Sequence, residues 1–223
     1  MKNKHRSNLK TSINPVSLTQ ELVKKESVTP HNNGAIECVE KYLSKLGFKS
    51  KKLIFSSESD NDEITNLFAI RHSDFRQKAP ILCFAGHTDV VPEGNLDNWN
   101  NHPFSAEIEN EIIYGRGCSD MKGAIAAWIS ACSEIINEGP LKVSIALMIT
   151  GDEEGKAENG TKKIVKWLNE KNILIDHCIV GEPTNPEYIG EMIKIGRRGS
   201  LNLKLKVIGK AGHVAYPNLA INP

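Results

Sequence analysis

The chain has 223 residues, 39% of them hydrophobic and 25% charged, with 28 lysines and arginines against 27 aspartates and glutamates. That length can bury a core and the composition is ordinary for a soluble protein, which argues against a disordered chain or a membrane protein. A net charge of +1 offers no general attraction for nucleic acid or anionic lipid, so no nucleic-acid or membrane partner is expected and a small polar substrate fits better.

Met1 to Lys10 is basic, but no apolar run follows it as a secretory signal would require. No stretch approaches the roughly 18 apolar residues of a membrane span. The five cysteines, Cys38, Cys83, Cys118, Cys132 and Cys178, are odd in number, widely spaced and without a C-x-x-C pair, the pattern of reduced structural thiols. A cytoplasmic protein is the expectation.

Leu18, Leu22 and Val23 share one helical face over Ser17 to about Lys25, and Ser27-Val28-Thr29-Pro30 stops that helix. A second helix is predicted over Ala35 to Leu46, with Gly47 as its C-terminal stop. Phe48 to Phe55, Leu67 to Arg71 and Ala79 to Phe84 read as strands, the last apolar on both faces and therefore central. Glu93 to Phe104 is an irregular excursion and Ile112 to Tyr114 a short edge. Met121 to Ile136 predicts a helix, Val143 to Thr150 a fully apolar strand, Gly160 to Lys171 an amphipathic helix and His177 to Val180 a short strand. Apolar strands alternating with helices indicate an α/β domain with a central, largely parallel sheet flanked by helices. After Arg198 the texture changes. Leu201, Leu203, Leu205 and Val207 alternate with polar residues, as in a strand buried on one face. The domains expected are therefore 1–198 and the beginning of a smaller α+β domain over 199–223.

In such folds ligands gather at the carboxyl ends of parallel strands. His87 follows the strand at 81–84, the Asp152-Glu153-Glu154 run follows 143–150, Glu182 follows 177–180, and Asp120 precedes the helix at 121–136. Each has a bland alternative: a core or surface histidine, a solvated acidic turn, a loop carboxylate, an N-cap aspartate. Placement on one rim favours a shared role. One imidazole among several carboxylates suits zinc or a comparable divalent ion.

The strings GHTDVVP (86–92), GRGCSDMKG (115–123), TGDEEG (150–155) and VGEP (180–183), in this order and spacing, resemble the co-catalytic zinc family of aminoacylases, carboxypeptidases and related deacylases. The resemblance implies a zinc-peptidase-like catalytic domain followed by a lid and dimerisation domain. It implies two zinc or cobalt ions, His87 and Glu182 on the first, Asp120 bridging both and Glu154 on the second. Asp89 would orient His87, and Glu153 would be the general base that takes a proton from the attacking water. Within the family, GRRGSL (196–201) and GHVAYP (212–217) look most like the branch that removes succinate from N-succinyl-diaminopimelate in lysine and cell-wall precursor synthesis. An N-acetylornithine deacylase or a short-peptide carboxypeptidase is the alternative. His213 would reach across a homodimer to help hold the oxyanion, or be a surface histidine. Arg197, Arg198 and Tyr216 would bind substrate carboxylates, one arginine being alternatively a solvated strand-end charge.

Family members run longer and supply a late histidine to the second metal, whereas His213 is the last histidine here. The chain is therefore expected to match the N-terminal part only, with a face of its core uncovered. The alternative of another class is a catalytically silent fragment.

Overall fold

The fully apolar run predicted as a strand over Val143 to Thr150 becomes the centre of a sheet, and the other elements arrange around it. A computed structural model describes residues 12–57, 60–76, 78–196, 199, 201, 203–221 and 223. Arg197 and Arg198 lie outside the described residues. In chain order the helices are α1 (Pro15–Val23), α2 (Ala35–Lys45), α3 (Gly123–Glu138) and α4 (Thr161–Glu170). The strands are β1 (Lys49–Ser57), β2 (Asp60–Arg71), β3 (Ile81–His87), β4 (Glu107–Glu109), β5 (Ile112–Tyr114), β6 (Ser144–Thr150) and β7 (His177–Val180).

Five strands form one sheet in the order β1-β2-β6-β3-β7, while β4 and β5 pair separately. β6, β3 and β7 are parallel, and β2 runs antiparallel to both β6 and β1. The sheet is thus mixed: a parallel core with an antiparallel hairpin on one side. Every residue of β6 is buried, as its neighbours on both edges and helices on both faces require. β2 begins earlier than its apolar stretch because pairing with β1 recruits polar residues into the ladder, with Ile54 opposite Thr65 and Lys52 opposite Leu67.

One face of the sheet packs on α1, α2 and α3 through Leu18, Leu22, Ile36, Leu43, Phe84, Ile125, Ile129, Leu147 and Ile149. The other face meets α4 through Cys83, Ala146, Met148, Ile164 and Leu168. α1 starts ahead of the predicted Ser17 because Asn14 caps it, its Oδ1 accepting from the Ser17 N–H at 3.1 Å, and Pro15 fills the first turn. Beyond β7 no further strand pairs among the described residues. β7 is exposed along its whole length, Ile179 and Val180 included, which is the uncovered face that the sequence leads one to expect.

The chain forms two compact units, one running to Pro183 and the other comprising Thr184–Pro223. In the second unit Lys210 and Ile221 form an antiparallel bridge and Pro217–Leu219 a short 3₁₀ turn. Among the described residues of the alternating segment that starts at Leu201 none is in a strand, and Leu203, Leu205 and Val207 stand exposed. An amphipathic strand needs a neighbour to take its backbone bonds and its apolar face, and among the described residues none runs beside it.

Candidate metal centre

β3 continues past its predicted end at Phe84, so His87 is its last residue, in register with Thr150 at the end of β6. The backbone beyond is held from two sides. Thr88 N donates to Thr150 O at 3.0 Å, Val90 N to Ser27 O at 2.9 Å and Thr29 N to Val90 O at 3.1 Å. The Ser27 hydroxyl donates to Thr88 O at 2.6 Å. The segment 27–30, which reads as a mere helix stop, is one wall of the site.

The His87 ring is 1% exposed. Its Nδ1 lies 2.9 Å from the backbone carbonyl of Asp89. A carbonyl only accepts, so Nδ1 carries the proton and Nε2 is the nitrogen that could offer a lone pair to a metal. Nε2 points at Asp120 Oδ1, 3.0 Å away, and Glu182 Oε1, 3.5 Å away. The Asp89 carboxylate sits 3.6 Å from Nδ1 and takes its short bonds elsewhere: it accepts from the N–H groups of Glu153 at 3.0 Å and Glu154 at 2.9 Å. Asp89 therefore links the imidazole to the acidic turn after β6.

That turn rests on Asn66 of β2, a fully buried residue. Its Oδ1 accepts from the Thr150 hydroxyl at 2.8 Å and faces Gly151 N at 3.4 Å; its Nδ2 faces the carbonyls of Asn159, Ile64 and Leu53 at 3.0–3.3 Å. Asp152 is buried as well and accepts from Ala157 N at 3.1 Å and Asn159 N at 2.8 Å. Of the three consecutive acids, Asp152 thus locks the loop, and Glu153 and Glu154 remain to face His87. Sequence reading missed Asn66, because a lone asparagine in a strand carries no local signal.

Asp120 is not an N-cap. Residues Cys118–Lys122 form a wide turn in which Asp120 is extended (φ −126°, ψ 97°), and α3 begins only at Gly123. Met121, fully buried, reaches under the neighbouring segments: a Cβ added at Gly86 would lie 2.6 Å from its methyl, and one at Gly181 2.8 Å from it. Gly181 could carry no side chain for a second reason, since Phe84 Cζ would be 2.4 Å away. Lys122, also unforeseen, is buried and donates from Nζ to Lys25 O at 2.8 Å, tying this turn to the end of α1.

The resolved shifts of the rim's carboxyls and of its imidazole share one sign, upward. Burial raises the Asp89, Glu154 and Glu182 carboxyls above their ordinary range, and His87 offsets this only in part. For His87, burial acts downward, but the Asp89 carbonyl and the charges of Asp89, Glu182 and Glu153 outweigh it and raise the imidazole above 6.5. The metal-free site therefore takes up more protons than the unfolded chain does. Its excess negative charge calls for a cation.

The residues present fit a divalent metal. Two sets can each offer ligand atoms within 4.8 Å of one another: His87, Asp120 and Glu182, and His87, Glu153 and Glu154. Tetrahedral zinc with bonds near 2.0–2.1 Å places its ligand atoms about 3.3 Å apart, and the 3.0 and 3.5 Å separations around Nε2 bracket that value. Among the described residues both sets draw on the same imidazole.

Residues 83–218 match peptidase family M20/M25/M40. The chain belongs to this family. It is 50% identical over 209 residues to a succinyl-diaminopimelate desuccinylase of Parvibaculum lavamentivorans, an alignment covering 94% of this chain and 51% of the relative. It is 49% identical over 213 residues to that of Ehrlichia chaffeensis, covering 95% and 54%. The chain thus spans about half the length of the curated relatives it matches. Human carnosine dipeptidase 1 shares the fold (TM-score 0.62, 24% identity, 74% of this chain and 37% of that one). So does an M20 family metallo-carboxypeptidase from Sulfolobus solfataricus (TM-score 0.57, 25% identity, 75% and 37%).

Five of the expected site residues, His87, Asp120, Glu153, Glu154 and Glu182, are brought to this rim, and Asp89 lies directly beneath. His213 and Tyr216 lie in the second unit, exposed, with ring centroids 6.0 Å apart.

A raised folded-state pKa means stability present at low pH and lost as pH rises through it. The gain in Tm on adding zinc should therefore grow as pH is raised from 6 to 8, and titration calorimetry in buffers of different ionisation enthalpy should show about one proton released per first ion. A gain independent of pH would contradict the assignment of Nε2 as a ligand. Asn66→Ala strips partners from buried groups and should cost on the order of 2 kcal/mol or more in urea unfolding, together with weakened zinc binding; Thr65→Ala, on the adjoining position, should leave zinc affinity unchanged.

Proposed function

We propose that this chain is the metal-binding part of an amide hydrolase that converts N-succinyl-LL-2,6-diaminopimelate to succinate and LL-diaminopimelate. The observation that carries the reading is identity of about one half, over 94% of the chain, to proteins named succinyl-diaminopimelate desuccinylase. The rim supports it by supplying the residues that such chemistry needs.

His87, Asp120 and Glu182 would hold one ion, zinc or cobalt, and Asp120 and Glu154 would contribute to a second. When bound, such ions acidify water and polarise the scissile carbonyl. Glu153, held by its N–H to the Asp89 carboxylate, takes the proton from the attacking water and returns it to the nitrogen as the C–N bond breaks. Asp89 keeps the His87 ring in one orientation and one tautomer. His213 helps hold the oxyanion across a homodimer, and Arg197, Arg198 and Tyr216 receive substrate carboxylates. The segment over 1–198 is the catalytic part and 199–223 the beginning of the lid and dimerisation domain.

Turnover by the zinc-loaded protein should be faster on N-succinyl-diaminopimelate than on N-acetylornithine; the reverse preference would reassign the substrate, and no hydrolysis of either with zinc bound would favour a silent fragment. Glu153→Gln should lower turnover about 10²–10⁴-fold with zinc content unchanged. Loss of zinc in that variant would make Glu153 a ligand instead of a base.

A further inference from the structure

Lys122 is fully buried. A buried ammonium costs folding free energy that an apolar side chain of similar length would not, and exchanging a buried charge for a well-packed hydrophobe is often neutral or stabilising. Packing alone therefore does not account for a lysine here. Its stem lies against Gly117 beside Val90: a Cβ added at Gly117 would come within 3.2 Å of Lys122 Cδ and 2.7 Å of Val90 Cγ1.

The ammonium is fastened to a node. Lys25 O accepts from Lys122 Nζ at 2.8 Å and from the Ser27 N–H at 2.7 Å. Ser27 in turn donates its hydroxyl to Thr88 O at 2.6 Å and accepts from Val90 N at 2.9 Å. Thr88 and Val90 flank Asp89, whose carbonyl holds His87 Nδ1 at 2.9 Å. A path of hydrogen bonds thus begins two residues after Asp120 and ends on both sides of the residue that orients His87. Asp120 and Met121 both depart from helical φ/ψ, so no regular ladder of helix bonds places the Asp120 carboxylate. The turn is closed by Lys122 N donating to Gly117 O at 2.9 Å, and Lys122 Nζ carries it onto the 25–29 segment.

We propose that Lys122 is a positioning residue of the metal centre: by fastening the Asp120 turn to the 25–29 segment, it sets the separation of the Asp120 carboxylate and the His87 imidazole, 3.0 Å in this structure. Lys122 acts through these two residues and is not itself a ligand. Every group on its path belongs to the first compact unit. The inference rests on the reading of His87, Asp120 and Glu182 as ligands of one ion.

The test is zinc titration and urea unfolding of the 223-residue chain, with His87→Ala as the reference for a lost ligand. A parent chain that takes up no zinc, or a His87→Ala variant that binds it as tightly as the parent, would overturn the ligand reading and this inference with it. With that reading upheld, Lys122→Met should bind zinc about 10–100-fold more weakly, while its metal-free urea midpoint equals or exceeds that of the parent. Ser27→Ala breaks the same path further along, so it should weaken zinc binding too, and the two substitutions together should weaken it by less than the product of their separate effects. Zinc affinity unchanged in Lys122→Met would overturn the inference alone, and tighter binding would do so by showing a charge that only repels the ion. A urea midpoint that falls in step with zinc affinity would make Lys122 a structural residue, and independent effects of the two substitutions would break the path; either result overturns the assignment.

Discussion

A single hydrogen bond sets the character of the whole rim: the one between Nδ1 of His87 and the carbonyl of Asp89. Because a carbonyl cannot donate, the bond fixes which nitrogen bears the proton and which is free to bind. It depends on β3 running one strand pair further than its apolar stretch, to where Thr150 and Ser27 can grip the following backbone. The aspartate that supplies the carbonyl uses its carboxylate on the next loop, so ring orientation and the placement of Glu153 and Glu154 are set by one residue.

Around that imidazole the fold collects more negative charge than it can comfortably hold. Burial alone would neutralise carboxylates by raising their pKa values, and this is the direction found for Asp89, Glu154 and Glu182. The network centred on Asn66 and Asp152 holds the acidic turn in place despite this repulsion, with backbone N–H groups as the counterweight. The cost of keeping such a site metal-free falls on the protons it borrows.

How much of this is legible in the sequence varies with the kind of signal. α2 is legible because its apolar residues carry the helical period, and β6 because a short unbroken apolar run bounded by turn signals reads as a buried strand. The convergence of His87, Asp120, the 153–154 pair and Glu182 is legible because each borders a predicted element and parallel strands end on one rim. Asn66 and Lys122 are hidden, since their partners lie 84 and 97 residues away in sequence and neither residue type announces a buried role. The alternation from Leu201 to Val207 misleads for the complementary reason: it states which face a strand would bury, and says nothing of whether a neighbour is there to receive it. For Asp120, a position before a helix suggests a cap, whereas the local backbone is extended and frees the carboxylate for His87.

The packing under the rim has a mechanical meaning of its own. The terminal methyl of Met121 touches the positions of Gly86 and Gly181, and these three residues are the immediate neighbours of Asp120, His87 and Glu182. Three segments that carry candidate ligands, from distant parts of the chain, thereby meet at one unbranched, deformable side chain. A side chain at Gly86 or Gly181 would collide with that methyl, so the backbone beside each of these candidate ligands is packed against the same atom.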